Sequence, residues 1–167
     1  MIFVTVGSDI PFDRLIKAVD LWARKRNRHD IFAQVGRNGW KPKFITSAEI
    51  LEPCDFAVRL AASSIVIGHA GMGTVLSALQ QSKPIIVMPR RGHLGETRND
   101  HQMATAHHLL AMGRVNVAYD EYELCQRLDH LEQLVPLELI APYANPELTR
   151  NLRDFIYQRE AEGIGSH

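Results

Sequence analysis

The feature that most constrains this chain is a rhythm in which short, unbroken apolar runs alternate with stretches whose apolar residues return at helical spacing. "IFVTV" (2–6), "IFAQV" (31–35), "SIVIG" (64–68), "KPIIVMP" (83–89) and "RVNVAY" (114–119) are such runs. A run without polar alternation is a strand buried on both faces, and such strands belong in parallel sheets. The intervening stretches supply the crossovers that parallel strands need. Phe12, Leu15, Ile16, Val19 and Trp22 share one helical face, with Asp13, Arg14, Lys17 and Asp20 outside it. Pro11 fits a first helical turn, where a missing N–H is tolerated. "PCDFAVRLAAS" (53–63) reads as a short helix with Phe56, Leu60 and Ala57 inward. "TVLSALQQS" (74–82), "DHQMATAHHLLAMG" (100–113) and "EYELCQRLDHLEQL" (121–134) read as further helices, the last with Leu124, Leu128, Leu131 and Leu134 on one side. "KFIT" (43–46) is a weaker strand. The expectation is an α/β fold, a Rossmann-like parallel sheet with helices on both faces, forming one domain over 1–167. Beyond 134, the proline-broken "VPLELIAPYANP" leads to a final helix within 146–162. Its Leu148, Leu152, Phe155 and Ile156 stripe can pack on its own sheet or dock on a partner.

Charge and cysteine usage narrow the function classes. Nineteen basic and nineteen acidic residues cancel, so no overall field draws in nucleic acid or an anionic membrane, and partner binding must be local. Cys54 and Cys125 lack CxxC spacing and fit reduced thiols better than a disulfide scaffold or zinc site. The start, "MIFVTVGSDIPFDRL", has no positive n-region and reaches a turn too soon for a signal or a membrane span. A cytoplasmic chain is expected, with any membrane contact indirect. His107 and His108 point to different helix faces and no H-E-x-x-H occurs, so no metal site is expected. No G-x-S-x-G elbow exposes a serine for a hydrolase.

Ligands of open α/β sheets bind beyond the carboxyl ends of strands, which directs attention to two loops. "GHAGMGT" (68–74), with His69 and Met72 among its glycines, feeds directly into a helix. Gly68, Gly71 and Gly73 let backbone approach a ligand, and a helix N-terminus offers unpaired N–H groups and partial positive charge to a phosphate or diphosphate. The order G-x-x-G-x-G matches neither the dinucleotide fingerprint nor a P-loop, and a tight turn without a ligand remains an equal reading of the glycines alone. "PRRGHLGETRNDHQ" (89–102) is long for such a connection. Arg90, Arg91 and Arg98 could pair with phosphate or a sugar carboxylate, and Glu96, Asn99, His101 and Gln102 could bind hydroxyls or a base edge. Equally, Asn99 with Gln102 can form a capping box.

With "FVTVGSDIPFDRLIKAVD", "IVIGHAGMGTVLSAL", "KPIIVMPR" and "GETRNDHQMATA" in this order, the chain resembles the C-terminal domain of family 28 glycosyltransferases over about residues 1–120. The likeness is greatest to the small, single-domain subunits of two-chain transferases. The resemblance implies the C-terminal half of a GT-B fold that binds a nucleotide-sugar donor, normally a UDP-sugar, without a required metal or other cofactor. It places Gly71, Gly73 and Thr74 at the diphosphate, His101 and Gln102 near the sugar or nucleotide, and Gly7 and Ser8 along the cleft. Many relatives carry a ribose-gripping glutamate seven residues before the proline matching Pro84, where this chain has Ser77. A hydroxyl cannot make the paired acceptor contacts of a carboxylate. Because GT-B enzymes need two halves, the resemblance also implies a membrane-anchored partner subunit carrying the acceptor site and the general base. No catalytic residue is assigned to this chain itself.

Overall fold

A computed structural model describes residues 1–134 apart from Asp9, Asn99, Met112 and Arg114. The proline-broken segment after 134 and the helix expected within 146–162 therefore lie outside the described residues. The strands are β1 (Ile2–Thr5), β2 (Ile31–Gln34), β3 (Thr46–Ala48), β4 (Ile65–His69), β5 (Ile85–Met88) and β6 (Asn116–Val117). All pair in parallel in the order β3-β2-β1-β4-β5-β6. The helices are α1 (Asp13–Arg26), α2 (Pro53–Ala62), α3 (Met72–Gln80), α4 (His101–Ala111) and α5 (Glu121–Asp129).

Alternate residues of each strand point to opposite faces, and this divides the interior into two cores. Ile2, Val4, Ile67, Ile86 and Met88 pack under α1 (Leu15, Ile16, Val19, Trp22) and α5 (Leu124, Leu128). Phe3, Val66, Ile85 and Val87 pack under α2 (Leu60), α3 (Val75, Ala78, Leu79) and α4 (Ala106, Leu109). Helices therefore cover both faces, as the continuous apolar strands require. Each fully buried Leu, Ile or Phe contributes roughly 1.5–3 kcal/mol of transfer free energy.

Several expected boundaries move for identifiable reasons. Pro11 precedes the N-cap Phe12 and lies outside α1. The third strand begins at Thr46, after "KFI", because the buried Asp20 carboxylate accepts the N–H groups of Lys43, Phe44 and Ile45 at 3.2, 2.9 and 3.0 Å. Those donors are unavailable to a sheet. In α2 only Leu60 is fully buried, Phe56 is half-buried and Ala57 is exposed. The helical reading of 121–134 breaks at His130 into a 3-10 turn, Leu131–Gln133.

Candidate functional site

The chain leaves β1 toward β2 and leaves β4 toward β5, on opposite sides of the sheet. Their carboxyl ends thus flank a switch point, the place where open α/β sheets hold ligands. Three connections line a cavity of about 310 Å³ there: Val6, Gly7, Ser8 and Ile10 after β1; His69, Gly71, Gly73 and Thr74 after β4; Arg90, Thr97 and Gln102 after β5.

The first wall turns at Gly7, whose φ of +80° is a left-handed value that side chains disfavour. Its N–H donates to Thr5 Oγ1 at 3.2 Å, and that hydroxyl in turn donates to Gln34 Oε1 at 2.9 Å. A buried polar pair thereby sets the turn.

The three glycines of the second wall have different tasks. Gly68 lies inside β4, where a Cβ would sit 3.1 Å from the Thr5 carbonyl oxygen and 3.2 Å from Thr74 Cγ2. It permits close packing of strand and helix. Gly71 is the N-cap of α3 in an extended conformation, and a Cβ there would overlap the His69 ring, with Cε1 at 2.8 Å and Cδ2 at 2.9 Å. Gly73, in the first turn of α3, would direct a Cβ into open space, with nothing within 4 Å. No side chain caps α3, and its first turn carries no acidic residue. The N–H groups of Met72, Gly73 and Thr74 precede the first intrahelical bond, Val75 N–H to the Gly71 carbonyl at 3.2 Å, so they lack intrahelical acceptors. Helix α3 begins two residues earlier than its apolar pattern indicates, which places Gly73 within the helix rather than before it.

Arg90 anchors the third wall and is only 3% exposed. Its Nη1 donates to the carbonyls of Pro11 (2.7 Å) and Glu96 (3.2 Å), and its Nη2 to those of Val6 (2.9 Å) and Ile10 (2.5 Å). The guanidinium carbon lies 4.7 Å above the centre of the Phe12 ring. Burial pushes its pKa down to about 10 against the opposing charge of Glu96, so it stays protonated at neutral pH. The Nη atoms expected to reach a phosphate instead hold the loop after β1, leaving Arg90 as a fixed positive charge behind the cavity. Gln102 Oε1 accepts the Arg90 N–H at 3.2 Å; the capping box expected between Asn99 and Gln102 lies outside the described residues.

The remaining expected residues are placed apart from the lining. Arg91 donates to the Tyr119 carbonyl at 2.7 Å. Glu96 accepts from Arg14 Nε (2.6 Å) and Nη2 (2.9 Å) and from the Arg91 N–H (2.9 Å). Burial alone would raise the Glu96 carboxyl, but the Arg14 hydrogen bonds, the Arg91 N–H and the charges of Arg14 and Arg90 outweigh it and hold its pKa below the ordinary value. Ser77 Oγ donates to the Gly73 carbonyl at 2.8 Å, one turn into α3. Met72 and Arg98 are exposed, and His101 opens α4 as an exposed residue. Val6, Ile10 and Thr97 complete the cavity although the sequence did not mark them as site residues. Thr97 could have been found only by its place in the long loop, between Glu96 and the segment leading to α4.

A family model described as the glycosyltransferase family 28 C-terminal domain matches residues 1–138. The chain belongs to this family. This family 28 domain is also similar to solved glycosyltransferase structures. It aligns with the glycotransferase of kitacinnamycin at a TM-score of 0.59 and 15% identity, over 79% of this chain and 34% of that one. With MurG from Acinetobacter baumannii the TM-score is 0.58 at 19% identity, over 81% and 42% respectively. With the NMR structure of ALG13 it is 0.58 at 21% identity, over 93% and 96%. At these identities the likeness shows a shared fold, that of the C-terminal half of GT-B proteins. The family 28 domain spans well under half the length of the first two proteins and nearly all of the third.

Proposed function

We propose that this domain binds the nucleotide-sugar donor of an inverting glycosyltransferase, which moves a sugar from a UDP-sugar to a lipid-linked acceptor in polysaccharide or glycan biosynthesis. The observation that carries the reading is the uncapped start of α3, bare at Gly73, aimed into a cavity at the switch point. Unpaired N–H groups at the positive end of a helix suit a diphosphate, and the buried Arg90 charge behind the cavity adds to the same field.

In the proposed reaction an acceptor hydroxyl, losing its proton to a base, attacks the anomeric carbon while the bond to the UDP oxygen breaks. The negative charge that develops on the departing diphosphate meets donors already in place, which lowers the barrier without reorganisation. No carboxylate lines the described cavity, and Glu96 is held by Arg14. The reading assigns the base and the acceptor site to a second, membrane-anchored GT-B half. A cavity of about 310 Å³ is at the lower end for ligand sites and accommodates one side of a nucleotide-sugar. The near-complete overlap with ALG13 supports a separate chain for the other half. In this reading 1–167 is one domain, cytoplasmic, held at the inner membrane face through the partner half, and one member of a heteromer.

That no carboxylate is found among the described lining residues also favours a second reading, a nucleotide-binding scaffold that regulates a partner without joining in chemistry. Transfer by the reconstituted pair, wild type against Gly73→Val, separates the two. The donor-binding reading predicts at least a hundredfold loss of transfer with little change in melting temperature, because the valine enters open space where the diphosphate would sit. Transfer that survives the substitution contradicts it.

A further inference from the structure

Away from the cleft, α1 and the segment entering β3 enclose a shallow groove of about 400 Å³, walled by Lys17, Asp20, Arg24, Trp40, Lys43 and Phe44. Lys17, Arg24 and Lys43 are exposed, and none pairs with a carboxylate among the described residues. The carboxylate in the groove, Asp20, is buried and turned to three backbone N–H groups. It thus fixes the groove wall without forming an ion pair with the cations. Trp40 and Phe44 are half-buried, Lys17 Nζ lies 5.8 Å from the centre of the Trp40 ring, and Leu21 beside them is 52% exposed. The chain as a whole is neutral, so this concentration of unpaired cations is a local feature.

Cations alone would suit any polyanion. Cations set around a tryptophan, a phenylalanine and an exposed leucine match a surface that is anionic outside and apolar beneath. Indole rings favour that boundary, and long basic side chains keep their charge at headgroup level while their stems lie on apolar ground. We infer that the Lys17–Arg24–Lys43 groove is a contact surface for an anionic phospholipid bilayer, so that the domain meets the membrane directly rather than only through a partner. The inference does not rest on the sugar-transfer reading.

Cosedimentation of the full chain with phosphatidylcholine vesicles, with and without phosphatidylglycerol, tests it. Each cation near an anionic surface changes partitioning by about fivefold. Wild type should bind the phosphatidylglycerol vesicles, weaken as salt is added and leave pure phosphatidylcholine vesicles unbound. The K17Q/R24Q/K43Q variant should lose on the order of a hundredfold. All three side chains are exposed and outside the cleft, so UDP titration and melting of the variant should match wild type. Absence of wild-type binding, or equal binding by the triple variant, would overturn the inference. Equal displacement of wild type from vesicles by a soluble polyanion at matched charge and ionic strength would overturn it too, since the apolar layer would then contribute nothing.

Discussion

Arg90 carries the energetic weight of the site at the scale of single residues, because one buried guanidinium joins carbonyls of residues 6, 10, 11 and 96. Removing it strands buried acceptors and loosens two walls together. Arg90→Ala should cost about 3 kcal/mol and lower the melting temperature by roughly 6–12 °C, measurable by calorimetry. Arg90→Lys should recover only part of this, since an ammonium has three donors and no planar fork. An unchanged melting temperature in Arg90→Ala would show that the carbonyls find other partners. This role was illegible in the sequence, where an arginine after a strand reads equally as a phosphate ligand, because its acceptors lie as far as 84 positions away. The glycines were legible as a group, but their division into packing, ring clearance and open approach was not. That depends on where Thr5, Thr74 and His69 come to rest.

Among the elements, the long β5–α4 connection is held by charge. Arg14 on α1 clamps Glu96 with two hydrogen bonds and reaches Glu121 of α5 at 3.3 Å. The folded-state pKa of Glu96 lies below its ordinary value of 4.5, so its contribution to stability is present above that value and is lost as pH falls through the folded-state pKa. Glu96→Gln should therefore be less stable than wild type at neutral pH, and the difference should shrink on acidification below the ordinary carboxylate range. Melting curves of both proteins across pH check this, and a difference independent of pH would contradict it. Strands and helices were legible because each is specified by local apolar spacing. The start of β3 was not, because Asp20, more than twenty residues earlier, takes the N–H groups that a strand would use. The start of α3 was missed because Met72 and Gly73 are exposed and add nothing to an apolar stripe.

For the molecule as a whole, alternating strand and helix runs imply a parallel sheet covered on both faces, and the order β3-β2-β1-β4-β5-β6 turns that layout into a switch point. The layout was legible; the order of strands was not, because it depends on long-range pairing between β1 and β4. The central claim is that the start of α3 receives the donor diphosphate. Titration of the isotope-labelled chain with UDP, followed through its backbone amide resonances, tests that claim most directly. Saturable shifts are expected, centred on Met72, Gly73 and Thr74 with smaller ones at Gly7, and none along Lys17–Arg24. Amides of the α3 start that stay unmoved at millimolar UDP, in the chain alone and with its partner half, would contradict it.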